Sequence, residues 1–216
     1  MAYSVGMSLV DDDAVMKQFH PPISGRLLAL LALGDAVSAD ERAAIPRELL
    51  VETEDLDKLP DVLGWEPGPF LLSPVVRDML EALEPNVHDF LRVQVKSRLQ
   101  KGASERAYWL LICPPRIDAI VVDQTDFYSG FGRAGYEADI KRSAAAENTL
   151  APGGTAHLSQ RLEAVWTVDA RAITGRHFWR LPMRLGGVNM CSDEFRQRFI
   201  SEGCRGWEFG KHSREA

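Results

Sequence analysis

The clearest helical pattern in the chain runs from Ser73 through Pro74-Val75-Val76-Arg77-Asp78-Met79-Leu80-Glu81-Ala82-Leu83. Apolar residues recur there every three to four positions, behind a serine placed to cap the first turn. An altered copy appears near the C-terminus as Cys191-Ser192-Asp193-Glu194-Phe195-Arg196-Gln197-Arg198-Phe199-Ile200. Each copy has an arginine four residues after its serine and leads to a strand-like run, Phe90-Leu91-Arg92-Val93-Gln94-Val95 after the first and Trp207-Glu208-Phe209 after the second. In the first copy Pro74 takes the first helical position, where its missing N–H costs nothing, and Val75, Val76, Met79, Leu80 and Leu83 are predicted to share the core face. In the second, Phe195, Phe199 and Ile200 are predicted to face the core, Asp193 and Glu194 suit the positive helix start, and Gly203 ends the helix. Two such units predict an α+β fold, a single domain with a mainly antiparallel sheet on which the Ser73 and Ser192 units pack.

The remaining pattern fills in around them. Ser24, the apolar run Leu27 to Leu33 and Gly34 predict a capped and terminated helix; Ala39 to Ala44 predicts a second short one, and Leu49-Leu50-Val51 a strand. The proline- and glycine-rich stretch from Asp55 to Pro69 reads as a connection packed by Trp65. In the run from Phe90, alternation turns Arg92, Gln94 and Lys96 to water, and Tyr108 to Ile112 is suited to a central strand paired with it as a hairpin. Sheet character returns at Val165-Trp166, Val168 and Phe178-Trp179-Arg180-Leu181. The organisation expected is an acidic N-terminal segment, residues 1–45, packed on a main α+β domain of residues 46–210. That domain carries a flexible loop at about 123–155, and residues 211–216 form a frayed tail.

Charge sharpens this division. The chain has 216 residues and a net charge of −6; residues 1–61 hold 12 acids against 5 bases, leaving 19 acids and 20 bases in the rest. The acidic third disfavours nucleic acid, whose phosphates demand Lys and Arg; it suits either a protein partner with a basic surface or a face that is simply kept solvated. The apolar run Leu27 to Leu33 is far shorter than the roughly 20 residues a membrane span needs, and the first ten residues lack a basic signal-peptide start. Three cysteines, Cys113, Cys191 and Cys204, without CxxC spacing point to reduced thiols and a cytoplasmic location.

Candidate chemistry is sparse. Gly130-Phe131-Gly132-Arg133-Ala134-Gly135 matches GxGxxG but lacks the preceding apolar strand that a dinucleotide fold requires. The five histidines show no paired metal-ligand spacing, and no serine lies in a GxSxG elbow. No catalytic residue, metal ligand or cofactor site is therefore assigned. Arg171, Arg176, Arg180 and Arg184, interleaved with His177 and Trp179, read as ion-pair partners for the acidic third. The candidate partner-binding residues are Asp11, Asp12, Asp13, Glu52, Glu54, Asp55 and Asp57 in the acidic third, with Tyr128, Phe131 and Arg133 in the long loop.

The order of landmarks resembles a bacterial family of polymorphic-toxin immunity proteins. The resemblance is carried by Pro60-Asp61-Val62-Leu63, Leu72 to Glu81, Tyr108-Trp109-Leu110-Leu111-Ile112 leading to Ile117-Asp118-Ala119, Phe178-Trp179-Arg180, and Cys191 to Phe195 closing on Gly206-Trp207-Glu208-Phe209. It spans about residues 45–210. It implies a non-catalytic protein that binds and inhibits a cognate toxin by blocking its active site or an essential surface, and it transfers no binding residues. A small enzyme or ligand-binding domain with a pocket between the two helix-strand units, and a secretion-apparatus adaptor, are the alternatives the residues leave open. Oligomeric state is not legible.

Overall fold

The computed structural model describes residues 1–8, 17–64, 69–99, 105–112, 114–127, 134, 137, 164–181 and 188–216. In chain order the elements that matter below are strands β1 (Ala2–Met7) and β2 (Lys17–His20), helices α1 (Gly25–Leu33) and α2 (Ala39–Ala43), and strands β3 (Glu48–Val51), β4 (Val62–Gly64) and β5 (Phe70–Leu72). Helix α3 (Pro74–Leu83) and the hairpin β6 (Phe90–Ser97) and β7 (Glu105–Leu111) follow. Short strands β8 (Asp126–Phe127), β9 (Ala164–Val165), β10 (Thr167–Val168) and β11 (Phe178–Arg180) lead to β12 (Asn189–Ser192), helix α4 (Asp193–Ser201), β13 (Trp207–His212) and β14 (Arg214–Glu215). The fold is α+β. Its contacts group into two compact units, one of Met1–Gly6, Pro115–Arg196 and Phe209–Ala216, the other of Met7–Pro114 and Gln197–Glu208.

The second of these units is built on a six-stranded sheet of order β2-β3-β6-β7-β5-β4, antiparallel throughout except for the parallel pair β3 and β6. Strict alternation gives the sheet two faces. On the inner one, Phe19, Leu49, Val51, Leu63, Leu71, Leu91, Val93, Val95, Tyr108 and Leu110 join Leu27, Leu30 and Leu31 of α1 in one core. The N-terminal segment of residues 1–45 thus supplies Phe19 of β2 and the predicted helix after Ser24 to that core. The sheet is strongly curled: the Lys17 ammonium on one edge strand donates to the Gly64 carbonyl on the other at 3.0 Å, whereas five strand spacings in a flat sheet span roughly 24 Å. On the outer face α3 packs against β5 and β7 through Val76, Met79 and Leu80. Edge strand β4 is closed off by the chain at Arg205 and Gly206: the Val62 N–H donates to the Arg205 carbonyl, and any side chain at Gly206, whose φ is +110°, would lie 2.3 Å from the Val62 carbonyl oxygen.

The other unit carries a four-stranded sheet of order β11-β12-β1-β13. One face buries Ala2, Trp179 and Met190 in a core with Ala119, Trp166, Val168 and Leu181. On the opposite face Phe178 meets Phe195 of α4, ring centroids 6.0 Å apart.

Several sequence expectations change. Val75 and Ile200, assigned to core faces, are 46% and 51% exposed; each lies about 100° around its helix from a buried neighbour, Val76 or Phe199. The connection from Asp55 to Pro69 contains strand β4 and a 3-10 turn at Leu56–Lys58, while Trp65 lies outside the described residues. Residues 211–216, expected to fray, complete β13 and add β14, which pairs in parallel with β10 while Ser213 is buried. Most of the 123–155 loop lies outside the described residues; its start forms a 3-10 turn at Val122–Gln124 and strand β8.

Candidate partner-binding surface

Of the ten candidate binding residues, Asp11, Asp12, Asp13, Tyr128, Phe131 and Arg133 lie outside the described residues, as do the glycines of the GxGxxG match. Glu52, Glu54, Asp55 and Asp57 are brought together in the segment that leaves β3. Five of its carbonyls accept from side chains distant in sequence. Thr53 O accepts from the Ser97 hydroxyl, Leu56 O and Leu59 O from the Arg106 guanidinium at 3.3 and 3.0 Å, Lys58 O from Arg205 at 2.9 Å, and Pro60 O from the Tyr108 hydroxyl at 2.7 Å. Asp61 fixes the far end, accepting the Arg205 N–H at 3.1 Å. Burial pushes the Tyr108 hydroxyl well above its ordinary pKa, so it is a permanent donor. Asp55 caps the 3-10 turn through the Asp57 N–H at 3.0 Å and lies 3.5 Å from Lys58, and Glu52 lies 3.5 Å from Arg98. Glu54 and Asp57 are exposed. The result is an acidic loop whose shape is set before any partner arrives, which lowers the ordering cost of binding.

Beside this loop the outer face of the six-stranded sheet is open where α3 does not cover it. Cross-strand register places Arg92 opposite Trp109, Gln94 opposite Ala107, and Lys96 opposite Glu105, with Glu48 and Leu50 alongside on β3 and Gln18 and His20 on β2. Trp109, Ala107 and Leu50 are only half-buried. Arg77 reaches from α3 to lie over the Trp109 ring at 4.7 Å, within the range of a cation–π contact. Sequence reasoning turned Arg92, Gln94 and Lys96 to water but did not identify this surface, because strand order alone brings β2 and β3 beside β6 and β7.

The chemistry-bearing groups elsewhere have structural occupations. Glu84 and His88 form a 2.7 Å pair with both side chains wholly buried, beyond the reach of a ligand. A cleft of about 280 Å³ at the start of α4 is lined by Arg176, His177, Ser192, Asp193, Glu194 and Glu215, among others. There His177 Nδ1 is 2.9 Å from the Ser192 hydroxyl, but that oxygen also accepts the Phe195 N–H as the helix cap. Glu194 approaches the same ring nitrogen at 4.0 Å, leaving it in no position to orient the other, so the arrangement lacks the geometry of a nucleophile triad. Arg180 of the basic-aromatic cluster is buried within β11 and Arg184 is outside the described residues. Cys191 and Cys204 are free thiols; burial, reinforced by Asp61 and Glu202, pushes Cys204 up to about 11, and burial raises Cys191 further. Among the described residues no three His, Cys, Asp or Glu side chains converge as metal ligands, and no helix is long and apolar enough to cross a membrane.

The sequence model of one family, described as an immunity protein family (Imm11), matches residues 41–214. The chain belongs to the Imm11 immunity protein family. The match runs from before β3 into β14 and includes both serine-capped helices and the acidic loop, whereas Gln18 and His20 of β2 precede it. The resemblance noted in the sequence is thereby shown at the level of an immunity family. A comparison with curated proteins returned no match.

Proposed function

We propose that this Imm11 protein is the non-catalytic inhibitor of a toxin in an interbacterial competition system. It acts in the cytoplasm and binds the toxin so as to block its active site or a surface the toxin needs. The observation that carries this reading is the family match over residues 41–214. The anchored acidic loop supports a partner with a basic surface: Glu52, Glu54, Asp55 and Asp57 would steer and hold Lys or Arg side chains. No cofactor is required by this role. Asp11, Asp12, Asp13, Tyr128, Phe131 and Arg133 remain proposed contact residues on the sequence reading alone, by their place in the acidic third and the long loop.

The direct test is co-expression with the protein encoded beside this gene. Growth rescue and a single complex on size exclusion are expected. The double substitution Glu54→Lys, Asp57→Lys should weaken the complex about tenfold or more, with a steep salt dependence in the parent protein. Neither rescue nor a complex with the unmodified chain would sink the proposal.

A further inference from the structure

The open half of the outer sheet face carries an uneven charge. Near the acidic loop, Lys96 pairs with Glu48 and lies opposite Glu105, one cation between two carboxylates. At the other end, about four strand residues or roughly 13 Å away, Arg77 and Arg92 flank the half-buried Trp109. Arg77 is paired with Asp78 at 2.7 Å and Arg98 with Glu52 at 3.5 Å, whereas among the described residues Arg92 makes no ion pair. Half-buried Leu50 and Ala107 lie on the same face. A sheet face with an arginine-flanked tryptophan, apolar neighbours and a guanidinium that makes no ion pair among the described residues matches the composition of interface hot spots, where Trp and Arg dominate.

We infer that this face docks the toxin, with Trp109 as the apolar anchor and Arg92 paired to an Asp or Glu side chain of the toxin. The inference rests on the immunity reading above and adds an orientation: the toxin presents a carboxylate opposite Arg92 and its basic surface opposite the acidic loop. Arg92 stands on a rigid central strand, so little side-chain order beyond its own is lost on pairing. The toxin carboxylate completes a charge pair at the edge of the aromatic anchor.

The test uses the full chain and, as the probe, a catalytically silenced form of the protein encoded by the adjacent gene, with affinities read by biolayer interferometry. Arg92→Glu should weaken binding by about 100-fold or more, the scale of a reversed charge at an interface centre. Ala107→Arg, which obstructs the face sterically, should weaken it by a similar factor. Both variants should retain the parent's circular dichroism spectrum and melting curve, because both positions face outward. Parent-like affinity for both variants would overturn the docking face and leave the immunity reading intact. Light scattering that shows the parent as a dimer and Arg92→Glu as a monomer would reassign the face to self-association and also overturn the inference. Failure of the parent itself to bind or rescue would instead be failure of the functional reading.

Discussion

The Ser73 and Ser192 helices use one local plan, set against strands of different origin. Before each serine stands a strand residue, Leu72 or Cys191, paired with an aromatic on the middle strand of its sheet, Trp109 or Tyr3. Four residues after each serine an arginine lies over that aromatic at 4.7 Å, Arg77 over Trp109 and Arg196 over Tyr3. In one case the middle strand is β7, joined through the β6 hairpin to the chain just after the helix. In the other it is β1, from the far end of the chain. The ends of the plan also differ. Ser73 is fully buried and follows no acid in its first turn, whereas Ser192 is half-buried, contacts His177 and is followed by Asp193 and Glu194. The α4 helix ends in a pair of bonds, Gly203 N–H to Ile200 O and Cys204 N–H to Phe199 O, that satisfy its last carbonyls with Gly203 at φ +68°. The lesson is that a helix arginine becomes a packing residue once the sheet supplies a ring beneath it.

Removing the side chain that seats each helix should have the largest effect. Phe195→Ala is expected to cost about 3–5 kcal/mol and Leu80→Ala about 2–5 kcal/mol by urea denaturation, since both are fully buried. A loss below about 1 kcal/mol at either site would show that its module is not held by its core face. The caps should separate the two modules next. Ser73→Ala strands the Val76 N–H away from water and belongs near 2 kcal/mol, while Ser192→Ala leaves a site that water can reach and belongs nearer 0.5–1 kcal/mol. The reverse order would mean that the His177 contact outweighs burial. Smallest are the stacked arginines: Arg77→Ala and Arg196→Ala should each cost about 0.5–1 kcal/mol, and Lys substitutions should recover part of that. Tyr3→Leu combined with Arg196→Ala in a double-mutant cycle should show coupling; additive losses would reduce the stack to coincidence.

Much of this fold was legible in the chain. Helices α1, α3 and α4 lie where periodicity and serine caps place them, α1 and α4 ending at the expected glycines, and α2 falls within the short helix read at Ala39 to Ala44, because caps and stops act within a few residues. The β6 and β7 hairpin is equally local. What escaped was short or remote. Strands β4 and β5 are three residues each within proline- and glycine-rich sequence, and β1 alternates too weakly to announce itself, yet it is the middle strand between β12 and β13. For the candidate surface, composition pointed to Glu52, Glu54, Asp55 and Asp57. It could not show that Arg106, Arg205 and Tyr108, distant in sequence, hold the loop's carbonyls.

The sequence by itself determined the helices, their caps, the acidic third and membership in an immunity family, since each rests on residue type at short spacing or on the ordered pattern of the whole. Tertiary structure alone decided which strand lies beneath each helix and which arginine meets a ring. It likewise decided which half of the sheet stays open beside the acidic loop. Those outcomes depend on strand order, where residues far apart in the chain become neighbours through backbone pairing that no local pattern encodes.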